Sequence, residues 1–228
     1  MSLDLLIFDF DGVISNSEIL SSMSLVETLG EIGLNMSLEE VDARFTGMGS
    51  QQMIADIREK DGLDVGDDFE ERNWRIVQRL MRERLEPVPH APEMLENLPP
   101  DLPKCIASNS FAEWIDFALE IMDLGHHFAP HMRFNADMVP HGKPAPDLHQ
   151  LVLRECGGID PKRALIMEDT TTGLGGGIAA GIEVWGCIAV SPHPDLMRQK
   201  LLDAGATRVL SDLRDLPQLV EQRLLGQI

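Results

Sequence analysis

The sequence is short of positive charge. Its 228 residues carry 19 Lys and Arg against 38 Asp and Glu, a formal net charge of −19. Nucleic acid and anionic membrane surfaces are bound through clustered cations, so neither is an expected partner. Cysteine is scarce as well. Cys105, Cys156 and Cys187 are odd in number and far apart in sequence, each in or beside an apolar stretch. They read as buried thiols in a reducing compartment, not as a disulfide framework, metal motif or redox motif. No apolar run approaches the roughly 20 residues that span a bilayer. Asp4 and Asp9 interrupt the first residues, and no basic stretch precedes an apolar one, so no signal peptide is read there. The expectation is a cytoplasmic monomer. What is present, 43% hydrophobic and 25% charged residues, is ordinary for a globular chain, and this length buries roughly 70–75% of its unfolded surface without disulfide or metal.

Short apolar runs at residues 5–8, 105–107, 164–167 and 184–190 are too brief for core helices and suit strands buried on both faces of a parallel sheet. Amphipathic stretches at 92–98, 112–122, 146–156 and 172–180 lie between or beside them, and a late strand at 208–210 precedes a last helix. Alternating strand and helix predict an α/β, doubly wound, Rossmann-like parallel-sheet core, in which ligands gather at the carboxyl ends of the strands. Residues 16–86 interrupt this pattern. Helical periodicity runs through 20–34, 37–45, 51–59 and 69–85, and Ser37 followed by Glu40 is a capping-box start. A proline-dense return, Pro87-Val88-Pro89-His90-Ala91-Pro92, closes the segment. The domain reading is therefore a core of 1–15 and 87–228 with an all-helical cap at 16–86.

The first strand runs into Asp9-Phe10-Asp11-Gly12-Val13. Side chains repeat every two residues on an extended chain, so Asp9 and Asp11 point the same way. Two carboxylates at the end of a buried strand are costly without a cation. A calcium loop of EF-hand type also begins D-x-D but needs Glu at its twelfth position, which here is Leu20. Ser108-Asn109-Ser110 follows a second strand with hydroxyl, amide and loop N–H groups that hold phosphate. Lys143, in Gly142-Lys143-Pro144-Ala145-Pro146-Asp147, is a point charge for a phosphoryl oxygen. Glu168-Asp169 closes a further strand and offers hard oxygen ligands for Mg²⁺. Each alone has a plain alternative: a solvated acidic loop, a helix cap, a loop charge, a helix N-terminus. Together they fall at successive strand ends.

In this order the motifs resemble those of the haloacid dehalogenase superfamily, in its phosphatase and beta-phosphoglucomutase-like branch with a helical cap inserted after the first motif. The resemblance implies a phosphatase, a hydrolase of phosphoric monoesters that acts on a small phosphorylated metabolite with Mg²⁺ as cofactor. It assigns Asp9 as nucleophile, forming an aspartyl-phosphate. It assigns Asp11 as general acid and then base, and Lys143, Ser108 and the Asn109 N–H as phosphoryl ligands. Asp9, the main-chain carbonyl of Asp11, Glu168 and Asp169 would hold the metal. In the cap it points to the loop 46–50, with Gly47 and Met48, as a substrate contact.

Asp11 argues against the halide-releasing branch, which lacks a second aspartate and the metal. Lys60 is the only lysine between residues 18 and 86, which disfavours the phosphonate-cleaving branch and its cap lysine. A sugar phosphomutase of the same family is the nearer alternative. Residues 15–24 have no His, 46–50 no Arg, and Phe111-Ala112 stand where a Lys is usual, so hydrolysis is favoured. A phospho-acceptor switch is more distant, because there the phosphorylated Asp lies on a middle strand. Arg72, Arg75, Arg79 and Arg82 form one helical face, read mainly as a solvated stripe pairing with nearby acids. The run Gly173-Leu174-Gly175-Gly176-Gly177 sits in the helix after Asp169. Interior glycine costs about 1 kcal/mol each against Ala, so this helix either packs unusually close to the sheet or has loose first turns.

Overall fold

The computed structural model describes residues 3–45 and 48–227. The chain divides into two compact units, Met1–Asn16 with Glu86–Ile228, and Ser17–Leu85. β1 (Leu5–Phe8) opens the first unit. The second holds α1 (Glu18–Glu31), α2 (Leu38–Phe45), α3 (Ser50–Asp61) and α4 (Phe69–Arg84). The first resumes with α5 (Ala91–Asn97), β2 (Lys104–Ser108), α6 (Ala112–Ile121), β3 (Arg133–Asn135) and α7 (Asp147–Glu155). It continues through β4 (Ala164–Glu168), α8 (Thr171–Ala179), β5 (Glu183–Cys187), α9 (Pro194–Asp203), β6 (Arg208–Leu210) and α10 (Asp215–Leu224). No described helix is long and apolar enough to cross a membrane.

The six strands form one parallel sheet in the order β3-β2-β1-β4-β5-β6. Leu5 and Ile7 of β1 join a core with Cys105, Ala107, Ile166 and Val184. Leu6 and Phe8 are buried as well, and the Phe8 ring meets Phe128 edge to face at 6.1 Å. Burial of alternate residues on both faces explains the unbroken apolar runs. Strand order reverses beside β1: the chain moves outward through β2 and β3, then returns to β4. The crevice at the carboxyl ends of β1 and β4 is thus a topological switch point. Register places Phe8 level with Met167 and with Ile106, so the residues just past β1 face the last residue of β4.

The fold class agrees with the reading of the sequence, with local corrections. The strand expected at 184–190 is Glu183–Cys187. β3 and α9 were not anticipated; β3 is only three residues long and lies at the sheet edge. Cys105 and Cys187 are buried, but Cys156 is partly exposed at the end of α7, where its thiol meets that of Cys105.

The helical unit has its own core, including Leu29, Val41, Phe45, Met53, Ile57 and Phe69. Its capping box closes as the sequence suggested: Ser37 N donates to Glu40 Oε2 at 2.7 Å, and Glu40 N to Ser37 Oγ at 3.2 Å. Arg72, Arg75 and Arg79 of the arginine stripe pair within the unit. Arg72 donates to Glu31 and Asp68, Arg79 to Glu27 and Glu83, and Arg75 lies 4.0 Å from Glu71.

The glycines of α8 are explained by proximity. A Cβ on Gly177 would lie 2.6 Å from Ile166 Cδ1 and 2.7 Å from Val184 Cγ2. On Gly176 it would lie 3.1 Å from the Ala145 carbonyl oxygen, whereas on Gly175 the nearest atom is 3.7 Å away. The first turn is capped, with Thr170 Oγ1 accepting from Gly173 N at 3.0 Å. α8 is therefore closely packed, not loose. Gly177→Ala is expected to lose about 1–2 kcal/mol through overpacking, while Gly175→Ala gains up to about 1 kcal/mol from helix propensity. Chemical denaturation of the two variants checks the contrast.

Candidate active site

Four segments bring the predicted residues to the switch point. Asp9 follows β1 directly, and its N–H donates to the Met167 carbonyl at 2.9 Å. Glu168 is the last residue of β4 and Ser108 the last of β2. Lys143 arrives on the loop before α7, held by the Asn109 side chain from both sides. Lys143 N donates to Asn109 Oδ1 at 2.8 Å, and Asn109 Nδ2 donates to the Lys143 carbonyl at 3.0 Å. Gly142 allows this approach, since a Cβ there would lie 2.7 Å from Asn109 Oδ1.

The centre is an ion triad. Lys143 Nζ donates to Asp9 Oδ1 at 2.7 Å and to Glu168 Oε2 at 2.8 Å. All three residues are buried, Glu168 completely at 0% exposure. Thr170 donates to Glu168 Oε1 from its backbone at 3.1 Å and its hydroxyl at 2.7 Å. The two acids are driven in opposite directions. Burial and the charge of Glu168 push Asp9 above the ordinary carboxylate range, despite Lys143. Burial would raise Glu168 too, but Lys143 and the Thr170 donors outweigh it and hold it low. Burial disfavours the Lys143 charge, yet both carboxylates lift its affinity for the proton above that of a free lysine.

Asp11 is held separately. Ser110 Oγ donates to its Oδ2 at 2.6 Å, and Trp114 Nε1 to its Oδ1 at 2.9 Å. The Asp11 charge nevertheless reaches Asp9 and helps to raise it. Ser108 Oγ accepts from Ser110 N at 3.0 Å. Asp169 lies against Gly12, whose φ is +78° and whose Cβ, if present, would sit 2.0 Å from Asp169 Oδ2. A side chain at position 12 is excluded twice, by conformation and by that carboxylate.

Asp9, Glu168 and Asp169 each offer a carboxylate oxygen, all within 4.8 Å of one another. These hard donors match Mg²⁺. Three carboxylates against the one ammonium of Lys143 leave two negative charges that the lysine does not balance; at Asp9 the charge of Glu168 adds to the upward push that burial starts. A divalent cation balances those two charges. The residues fit the ion.

The structure thus gathers Asp9, Asp11, Ser108, Asn109, Lys143, Glu168 and Asp169 in one unit. Gly47 lies outside the described residues. Met48 is exposed and belongs to the helical unit. Sequence reasoning missed Trp114 as a partner of Asp11. The available signal was the four-residue step from Ser110, just ahead of α6, to Trp114 in its first turn.

Residues 6–187 match the family described as haloacid dehalogenase-like hydrolase. The chain is 25% identical over 217 residues to 6-phosphogluconate phosphatase of Escherichia coli K12, covering 95% of this chain and 94% of that protein. It is 26% identical to the phosphorylated carbohydrates phosphatase of Thermotoga maritima, covering 91% and 94%. Among solved structures, a hydrolase from Deinococcus radiodurans R1 with bound phosphate and sodium superposes with a TM-score of 0.77 at 30% identity, covering 97% of both chains.

Because protons compete with a cation for Asp9, and Asp9 binds its proton more tightly than a free carboxyl, Mg²⁺ should stabilise the protein in a pH-dependent manner. Added Mg²⁺ is expected to raise the thermal midpoint at pH 8 and progressively less as pH falls toward 5. Differential scanning fluorimetry checks the trend.

Proposed function

The chain belongs to the haloacid dehalogenase-like hydrolases, and on that premise we propose that it is a Mg²⁺-dependent phosphatase of a small phosphorylated metabolite, a sugar or sugar-acid phosphate, working through a phosphorylated Asp9. The observation that carries the reading is the buried Asp9–Lys143–Glu168 triad beside Asp169, with a second aspartate, Asp11, held apart by its own donors. The names of the relatives, phosphatases of 6-phosphogluconate and of phosphorylated carbohydrates, support the substrate class.

A nucleophile and an acid in one site need different environments. Asp9 has Lys143 within 2.7 Å, a partner that keeps its carboxylate available for attack on phosphorus. In the first step an Asp9 oxygen bonds to phosphorus, the ester P–O bond breaks, and Asp11 gives its proton to the departing alkoxide. In the second step water attacks the same phosphorus, Asp11 takes the water's proton, and the P–O bond to Asp9 breaks, restoring both acids. Splitting hydrolysis in this way lets one pre-positioned nucleophile replace an unpositioned water in the difficult step. Lys143 holds the transferring phosphoryl group opposite Glu168, and the Ser108 hydroxyl and Asn109 N–H bind its oxygens. Asp9, the Asp11 carbonyl, Glu168 and Asp169 would hold Mg²⁺, which supplies charge neutralisation for an anion entering an anionic site.

These groups all recognise a phosphoryl centre, and none reads the rest of a substrate. By the family resemblance, selection is assigned to the helical unit acting as a cap, through residues 46–50 with Gly47 and Met48. Phosphate release from a panel of phosphorylated sugars, sugar acids and nucleotides with Mg²⁺ tests the reading. Hydrolysis of sugar-type phosphates is expected, and Asp9→Asn is expected to lower it by at least ~10³-fold, as loss of a nucleophile does. Full activity in Asp9→Asn, or an isomerised sugar phosphate without free phosphate, overturns it.

A further inference from the structure

Each oxygen of Asp11 is held by a different kind of neutral donor, one an indole and one a hydroxyl. Trp114 lies in the first turn of α6, 8% exposed, with its backbone N–H donating to the Phe111 carbonyl at 3.1 Å. The Phe111 ring meets the indole edge to face at 6.2 Å. The indole is thus fixed, and it directs Nε1 at Asp11 Oδ1 from 2.9 Å. Ser110, one helical turn earlier, donates to Oδ2 from 2.6 Å.

The two donors differ in a way that matters for an acid. An indole N–H only donates, whereas a hydroxyl both donates and accepts and turns freely about its C–O bond. Oδ1 therefore faces a hydrogen in either state of the carboxyl group and has to remain an acceptor. Oδ2 faces a group that serves both states: Ser110 donates to it when Asp11 is a carboxylate and accepts from it when Asp11 carries a hydrogen. We propose that Trp114 is a positioning residue for the acid step: by holding Oδ1 as an acceptor, its indole N–H orients the carboxyl plane and assigns the transferable hydrogen to Oδ2. The inference rests on reading Asp11 as the general acid. It names which oxygen delivers the proton and which side chain makes that choice.

In the step itself, the Oδ2–H bond breaks, hydrogen bonds to the departing ester oxygen, and the electron pair of the broken bond stays on Asp11. Without the indole N–H nothing of that kind reserves Oδ1 as an acceptor, the hydrogen can sit on either oxygen, and a smaller fraction is poised for transfer.

The test exploits the leaving group. An alkoxide of a sugar needs a proton to depart, whereas p-nitrophenolate leaves without one. Trp114→Phe removes the donor but also ring volume, whereas benzothienylalanine placed at position 114 preserves the indole shape, removes only the N–H, and serves if the Phe variant folds poorly. Acid catalysis contributes typically ~10²–10⁴-fold. The expected result is a ~10–100-fold loss of kcat/KM on a sugar phosphate, with less than ~3-fold loss on p-nitrophenyl phosphate, because kcat/KM covers the steps up to leaving-group release and leaves out the later step in which Asp11 acts as base. Adding Asp11→Asn to Trp114→Phe should then cost the sugar phosphate no more than Asp11→Asn alone, because both act through one group. Equal losses on both substrates, or losses that multiply in the double variant, overturn the proposal and leave Trp114 a packing residue. Asp11→Asn alone keeps the underlying reading separate. If its kcat/KM loss is selective for the sugar phosphate and that of Trp114→Phe is not, only the positioning role fails; if its kcat/KM loss is not selective, the acid role of Asp11 fails first.

Discussion

One lysine between two buried carboxylates is the interaction on which the rest of this molecule depends. Taking a carboxylate out of water costs several kcal/mol even after relaxation, and a partner recovers that only with close geometry. Lys143 supplies it twice, at 2.7 Å to Asp9 and 2.8 Å to Glu168. The sheet order makes this possible. β1 and β4 are neighbours although 155 residues separate Asp9's strand end at Phe8 from Leu165's neighbour Ala164 at the start of β4, so two acids far apart in sequence emerge side by side. The lysine must then come from a third segment, and the Asn109 clamp on its backbone is what delivers it.

The same constraint reaches into residues that carry no charge. Glu168 stands where a Cβ on Gly173 would lie 1.8 Å from its Oε2, and Asp169 where a Cβ on Gly12 would lie 2.0 Å from its Oδ2. A carboxylate packed against backbone cannot swing away to find water, so it stays oriented toward the cluster. Glycine at these places gives up local stability to fix two acids, and the run in α8 extends that close packing onto the sheet through Gly177. What looks in the sequence like a poor helix is the wall that holds the site shut on one side.

The parts of the fold legible in the sequence were those where one strong local signal decided the outcome. Strands buried on both faces show as apolar runs, and chemistry sits where the runs stop, so Asp9, Ser108 and Glu168 were readable. β3 was not: three residues at an edge carry too little periodicity to distinguish from loop. The end of β5 was misplaced because the apolar run continues through Ile188, Ala189 and Val190 after the strand pairing has ended at Cys187. Cys105 and Cys156 read as distant thiols, and only the packing of α7 on β2 brings them together. The pairing of Trp114 with Asp11 spans 103 residues. An indole in an amphipathic helix looks like core, and nothing local announces that its N–H has a carboxylate to meet.

The net charge of −19 acquires a different meaning beside this geometry. A long-range field falls off within about 8–10 Å at physiological ionic strength, so the many exposed acids have little say over a dianion already inside a cleft. There the balance is set by groups a few ångströms away: three carboxylates, one ammonium, and the cation that the carboxylates fit. On the proposed function, that cation would bring the charge of these groups to zero, so that a phosphate would no longer meet a net repulsion there. Metal affinity and substrate affinity would then be coupled through one local charge count, which the distant surface acids hardly enter.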